Sequence, residues 1–194
     1  MSAHPSDRVL HAPAAARSGA GGLATALGWL TTVDHKRIGI LYGVSAFAFF
    51  LLGGVEALLI RLQLAVPDNT LVGAHAYNAL FTLHGTTMIF LAVMPFNAMF
   101  FNYMVPLLIG AGDMAFPRLN RLSYWVFFTS TVVLLASFFV DAGPAAAGWT
   151  TYPPLTAVPS YTGVQRGTDL WIIAVALEFT SMLLSGINVL TTTI

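Results

Sequence analysis

Four long apolar runs constrain the fold of this chain more than any other feature of its sequence. They cover residues 38–62, 77–109, 122–140 and 170–194, and each is long enough to cross a bilayer as a helix of roughly 20 residues. Only 8% of the residues are charged, whereas an ordinary soluble domain has roughly 25%. We therefore predict an all-α protein, a polytopic transmembrane bundle with four helices in this chain.

Two further counts exclude whole classes of function. The formal net charge is zero, so the chain has no basic surface of the kind that binds nucleic acid. It contains no cysteine, which removes disulfides, thiolate metal sites and cysteine nucleophiles. A metal ion would have to be held by histidine, by carboxylates or by atoms of another chain.

The N-terminal residues 1–32 are rich in Ala, Gly, Ser and Pro and lack the continuous apolar stretch of a cleavable signal. We expect a flexible cytoplasmic tail there and a membrane domain over residues 33–194. Cations flank the runs unequally, and cytoplasmic loops carry the excess of Lys and Arg. Six cations lie on the side of the tail and of the Asp113 loop, namely Arg8, Arg17, Lys36, Arg37, Arg118 and Arg121. Two lie on the other side, Arg61 and Arg166.

A histidine, His84, interrupts the second apolar run about 12 Å from its outer end. Ionisable residues inside a membrane are candidates for function. The residues alone leave two alternatives open, a hydrogen bond to a neighbouring helix or a bond to a metal or haem iron. Nearby features are an arginine at the outer end of the first run, Arg61, and a Pro-rich, aromatic connection over 141–169 that predicts an ordered cap. The last run stops at Ile194 without flanking charge, so we expect the chain to be incomplete there.

Several motifs follow one another from residue 29 onward. They are VDHKRIG at 33–39, LHG with MIF at 83–90, GAGDMAFPRLN at 110–120, LSYW at 122–125, GW with YPPL at 148–155, and GIN at 186–188. In this order and spacing they resemble subunit I of the haem–copper terminal oxidases, of the cytochrome aa3 type. The resemblance implies that the four helices are the first part of a larger, twelve-helix-type subunit in an energy-transducing membrane, such as the bacterial plasma membrane.

The resemblance implies one set of roles at the outer end of the bundle. His84 matches an axial ligand of the low-spin haem a, and Arg61 matches an arginine at the edge of that haem. Tyr77 lies on the face of His84 and could support it or simply pack in the core, just as Arg61 could be an interfacial residue only. Trp149 and Tyr152 match a cap over the haem propionates. The high-spin haem and copper would be bound outside this chain, which thus contains no catalytic residue.

A second set of implied roles lies at the inner end. Asp113 matches the mouth of a proton channel, although an ordinary loop aspartate is the alternative from the residues alone. Amide and hydroxyl side chains orient water without trapping charge. The side chains implied to hold a water chain are Asn102, Asn120 and Ser123, with Ser181 and Asn188 of the fourth helix as weaker candidates. Glu178 departs from the family, which has small apolar residues there, and Met182 replaces a second serine.

The implied function is catalytic: reduction of dioxygen to water with electrons from cytochrome c, coupled to proton uptake and pumping. Copper-bearing subunit II, subunit III and membrane lipid would be the partners. A quinol oxidase is the first alternative, because Glu56 matches an acid that quinol-oxidising relatives use. Leu52, Ala76 and Ala79 replace the Arg, His and Gln of that pocket, which favours cytochrome c. A cofactor-free membrane scaffold is the second alternative.

Overall fold

The computed structural model describes residues 22–194, which divide into two units at residue 32. In the first unit a helix, α1, spans Gly22–Leu30, within the segment for which we expected a flexible tail. Ala and Leu are strong helix formers and make up more than half of this stretch, which explains the helix. It ends where the Thr31 hydroxyl donates to the Leu27 carbonyl at 2.8 Å. The rest of the predicted tail, 1–21, lies outside the described residues.

The second unit contains four helices long and apolar enough to span a membrane. Their bounds are His35–Gln63, Ala74–Ile109, Pro117–Phe139 and Arg166–Thr193. The first is α2. The second consists of α3 (Ala74–Thr86), a π-helical segment (Thr87–Val93) and α4 (Met94–Ile109). The third is α5 (Pro117–Ala136) with a 3-10 turn (Ser137–Phe139), and the fourth is α7 (Arg166–Thr193), preceded by the short α6 (Pro159–Thr162). The predicted all-α bundle with four spans is confirmed.

The spans begin earlier than the apolar runs predicted. Helix α2 starts at His35 because the Asp34 carboxylate accepts a hydrogen bond from the Lys36 backbone N–H at 2.8 Å, an N-cap. Helix α5 starts at Pro117, where the missing N–H of proline costs nothing in a first turn. Caps of this kind, and not the limits of the apolar runs, determine where these two helices begin.

Small residues allow the helices to approach closely, as is common in membrane bundles. Helix α2 packs along α4, and a Cβ atom at Gly43 would overlap the Met99 sulfur. Helices α5 and α7 also pack along each other. The Tyr42 ring lies at the centre, fully buried, with its centroid 5.5 Å from that of Phe127 on α5. The polar residues described below surround this tyrosine.

Large apolar side chains cover the outside of the bundle. Val44, Phe47 and Leu51 on α2, and Leu183 and Leu190 on α7, are all more than half exposed. Water would disfavour such a surface, whereas lipid does not. With the four spanning helices, it identifies an integral membrane protein.

Candidate functional site

Among the described residues, the imidazole of His84 makes a hydrogen bond through one of its two nitrogens. Its Nδ1 lies 3.0 Å from the Gly53 carbonyl oxygen of helix α2. A carbonyl can only accept, so Nδ1 carries the proton, and in the neutral ring Nε2 keeps its lone pair. The two alternatives left open by the sequence are therefore compatible: the helix–helix hydrogen bond exists, and the nitrogen that could bind iron is not used by it. Histidines that bind metals usually have such a partner on the other nitrogen.

The close approach of α2 to the second span brings the Gly53 carbonyl to His84. A Cβ atom at Gly53 would lie 2.6 Å from the sulfur of Met88, which is nearer than atoms tolerate. The span also changes its winding at this point, since the π-helical segment begins at Thr87. Such segments are frequent at functional sites.

The connection between α5 and α7 covers the helix turn that carries His84. The Gly148 backbone N–H donates to the Thr82 hydroxyl at 2.8 Å. The indole of Trp149 lies against Gly85, where a Cβ atom would be 2.6 Å from its Cδ1. The ring also packs edge-on to Phe90, with centroids 6.2 Å apart. Trp149 therefore lies against Gly85, the residue that follows His84.

The structure does not bring the other predicted outer residues into hydrogen-bonding contact with His84. Arg61 is exposed in the last turn of α2. Tyr77 is half-buried near the start of α3 and lines a cavity with Gln63. Tyr152 is 69% exposed in the connection. Of the four predicted outer residues besides His84, Trp149 is the one that contacts the His84 turn, through Gly85.

A cluster of buried hydroxyl groups joins three helices toward the inner end. The Tyr42 hydroxyl of α2 donates to Ser123 Oγ of α5 at 3.0 Å and lies 3.2 Å from Ser181 Oγ of α7. Ser181 Oγ donates to the Ser123 carbonyl at 2.7 Å, and Ser123 Oγ donates to the Asn120 carbonyl at 2.7 Å. All four residues are completely buried. Sequence reasoning found Ser123 and Ser181 but missed Tyr42, whose signal is a tyrosine on the helix face that also carries Ile38, Gly39, Gly43 and Ala46.

Two buried asparagines at the same end of the bundle have side-chain atoms without a partner among the described residues. Asn102 Oδ1 and both amide atoms of Asn120 are buried and unpaired among the described residues. The Asn102 amide N–H donates to the Ala98 carbonyl at 2.7 Å, and its backbone carbonyl accepts from Nδ1 of the buried His35 at 2.8 Å. Unpaired buried amides are costly unless water satisfies them, so this region suits ordered water. Sequence reasoning did not select His35, which precedes the first apolar run.

The Asp113 loop is attached to the end of α7. The Phe116 N–H donates to Asn188 Oδ1 at 2.8 Å, and the Ala115 N–H donates to the Thr192 hydroxyl at 3.0 Å. Asp113 itself is half-exposed and accepts from the Met114 N–H at 2.8 Å. The loop thus presents a carboxylate to the surface below the buried asparagines, while Asn188 holds the loop in place.

Two acids are buried within the spans. Glu56 on α2 interacts with Thr87 and is 7% exposed, and Glu178 on α7 is 1% exposed. Neither belongs to a metal cluster, because residues 22–194 contain no group of three or more His, Asp and Glu side chains that could hold a metal ion. A metal bound by these residues would therefore take further ligands from a cofactor or from another chain.

Comparison with known proteins decides the family. The family described as "Cytochrome C and Quinol oxidase polypeptide I" matches residues 37–194, most of this chain. The chain belongs to this family. The predicted resemblance to subunit I of the haem–copper oxidases is thereby confirmed, and membership implies haem and copper as cofactors of the family.

Three relatives of this polypeptide I chain illustrate the range of the family. "Cytochrome c oxidase subunit 1" of Bacillus subtilis (strain 168) is 47% identical over 166 residues, 86% of this chain and 26% of the relative. "Heme-copper oxidase subunit I+III" of Aeropyrum pernix is 48% identical over 172 residues, which cover 89% of this chain and 21% of the relative. "Probable quinol oxidase subunit 1" of Staphylococcus epidermidis is 43% identical over 160 residues, which cover 82% of this chain and 24% of the relative. The chain spans about a quarter of the length of these relatives.

Proposed function

We propose that this chain forms the part of an oxidase subunit I that binds the low-spin haem and admits protons from the inner side. In the complete subunit, electrons from cytochrome c would reduce dioxygen to water, with proton uptake and pumping. The observation that carries the proposal is the hydrogen bond from His84 Nδ1 to the Gly53 carbonyl, since it fixes the ring and leaves Nε2 for iron.

The residues around His84 fit a haem. A neutral imidazole with an oriented ring is a common axial ligand, and bound haem would supply one-electron transfer. Gly53 orients the ring, and the connection with Trp149 would exclude water above it. Arg61, at the outer end of α2, would place a positive charge toward the haem edge, with Tyr77 and Tyr152 completing that end of the site. The high-spin haem and copper would be bound by residues outside this chain.

The inner half of the bundle supports proton entry. The half-exposed Asp113 carboxylate would exchange protons with the inner aqueous phase. Asn102 Oδ1 and the two side-chain amide atoms of Asn120, which have no partner among the described residues, would orient water above it. The hydroxyl cluster of Ser123, Ser181 and Tyr42 would pass protons on, because a hydroxyl both donates and accepts. The excess of Lys and Arg on the Asp113 side supports an orientation in which this entrance and the N-terminus would face the cytoplasm of a bacterial cell.

The side chains at the outer ends of α2 and α3 favour cytochrome c as the electron donor. A quinol has two oxygens that need polar partners. A site that cannot supply one of the needed hydrogen bonds discriminates strongly against the quinol. Glu56 could serve one oxygen, but Leu52, Ala76 and Ala79 have no side-chain donor or acceptor. Copper-bearing subunit II would receive the electrons, and subunit III and lipid would complete the complex in the plasma membrane.

Two measurements on the purified complete oxidase test this function. The reduced-minus-oxidised absorbance spectrum should show haem, and a spectrum without haem bands would leave a cofactor-free scaffold as the function. Steady-state oxygen consumption should be supported by reduced cytochrome c and not by a quinol. Turnover with quinol alone would assign the chain to the quinol-oxidising members of the family.

A further inference from the structure

Glu178 is a buried acid that the proposed function does not use. It lies near the middle of α7 and is 1% exposed. Carboxylates inside a bilayer are expensive and are usually tied to the movement of ions or protons. Its helix face also carries Ser181, Ser185 and Asn188, all buried, so the acid is one member of a polar stripe and not an isolated residue.

The two oxygens of the Glu178 carboxyl differ in their surroundings. Oε2 accepts a hydrogen bond of 3.4 Å from Ser130 Oγ of α5, and Ser130 is completely buried. Oε1 is buried without a partner among the described residues. A carboxylate offers about four acceptor sites, and one long hydrogen bond satisfies only one of them. This carboxyl therefore has an oxygen free to take and release a proton.

The hydroxyl cluster approaches Glu178 from the inner side. Ser181 follows it by three residues on α7, which places the two side chains one turn apart on the same face. The Tyr42 phenol, which contacts Ser181, is close enough for an electrostatic interaction with the Glu178 carboxyl. Glu178 thus stands one helical turn beyond the last hydroxyl of the proposed proton entry.

On its outer side the same face of α7 leads toward the His84 turn. Trp171, two turns before Glu178, donates from its indole N–H to the Thr86 hydroxyl at 2.8 Å. Thr86 lies two residues after His84 and donates to the Thr82 carbonyl at 2.8 Å. Glu178 is therefore placed between the hydroxyl cluster and the segment that carries the proposed haem ligand.

We propose that Glu178 is a proton-exchanging site that extends the proton path beyond Ser181 by one turn. This inference rests on the proposed function of the hydroxyl cluster. A water molecule that has taken up a proton from the Asp113 side passes one to Glu178: an O–H bond of that water breaks as an O–H bond forms at Oε1, which gives a neutral water and a neutral carboxylic acid. The proton later leaves Oε1 for a water on the Trp171 side, and the carboxylate is restored. No electron moves in this step, and Ser130 holds the other oxygen throughout.

Infrared difference spectroscopy of the complete oxidase tests the proposal, because it detects the C=O stretch of an individual carboxyl. The reduced-minus-oxidised spectrum of the wild type should contain a carboxyl band that shifts in D2O. Glu178→Gln should abolish this band at unchanged haem content. Ser130→Ala should shift it, because the hydrogen bond to Oε2 is lost. Glu56→Gln, which changes the other buried acid, is the matched control and should leave this band in place.

The outcomes separate this inference from the proposed function. A wild-type oxidase without haem signals would overturn the function, whatever Glu178 does. Intact haem signals together with a carboxyl spectrum that Glu178→Gln leaves unchanged would overturn the inference alone. If Glu178→Gln does not assemble, Ser130→Ala decides, since an unshifted band in that variant would show that Glu178 does not exchange the proton.

Discussion

Gly53 shows how much of the proposed haem site depends on one residue without a side chain. Its carbonyl accepts from His84 Nδ1, and its missing Cβ allows Met88 of the second span to approach. His84 can be identified from the sequence, because an imidazole inside an apolar run is unusual. Gly53 carries no comparable signal, since Gly54 beside it looks the same in the sequence. Which of the two glycines faces the histidine depends on helix rotation, and only the packed structure reveals that.

Gly53→Ala in the complete subunit should weaken the contact between α2 and the second span. The new methyl would lie 2.6 Å from the Met88 sulfur and 3.0 Å from its Cγ, so the flexible Met88 side chain must move. Overpacking of this kind costs about 1–3 kcal/mol. Haem should be lost at a lower temperature, as followed by absorbance during heating. Gly54→Ala is the control, because a Cβ there meets nothing within 4 Å; equal loss in both variants would refute the packing argument.

At the scale of elements, the connection from α5 to α7 behaves as a folded part of the molecule. Its proline and aromatic content predicted an ordered cap, and the contacts of Gly148 and Trp149 with the second span agree with that expectation. The π-helical segment after Thr86 could not be predicted, because no residue in it prevents ordinary α-helix. The segment packs against α2, a tertiary contact that the order of the residues does not reveal.

Gly85→Ala should loosen the cap. The added Cβ would lie 2.6 Å from Trp149 Cδ1 and 3.1 Å from its Cγ, and a rigid indole cannot relieve this as easily as a methionine can. We expect a destabilisation of about 1–3 kcal/mol, expressed as local opening. Protease added to the outer face should cut residues 140–158 faster than in the wild type. Gly186→Ala on α7, where a Cβ meets nothing within 4 Å, should be cut at the wild-type rate; faster cutting in both would contradict the assignment.

At the scale of the whole molecule, the bundle has one half that carries His84 and another half that carries the polar cluster. Apolar run length predicted the four spans, and the motifs predicted the family, because both are properties of the chain read in order. The sequence did not predict that Tyr42, Ser123 and Ser181 come from three helices and share one hydrogen-bonded cluster. Tyr42 lies 81 residues from Ser123 along the chain, and such a contact exists only after the helices pack.

Asp113→Asn should change proton uptake without changing the haem content, so it tests the two halves independently. The amide cannot exchange protons at the surface, so proton uptake and pumping should slow while haem content stays unchanged. The side chain can still accept from the Met114 N–H, so the loop should keep its conformation. Stopped-flow measurement of proton uptake with a pH indicator checks this expectation. Asp68→Asn, in the loop at the other end of α2, is the matched control and should leave uptake at the wild-type rate; wild-type uptake in Asp113→Asn would exclude this entrance.

The most direct test of the central claim is the low-spin haem content of His84→Ala in the complete oxidase. His75→Ala is the matched control, because His75 is exposed near the start of the same helix α3. Low-temperature optical and electron paramagnetic resonance spectra measure the low-spin haem in each purified variant. We expect His84→Ala to lose the low-spin signal and His75→Ala to retain it. A full low-spin signal in His84→Ala would show that this imidazole does not bind the haem iron and would contradict the account.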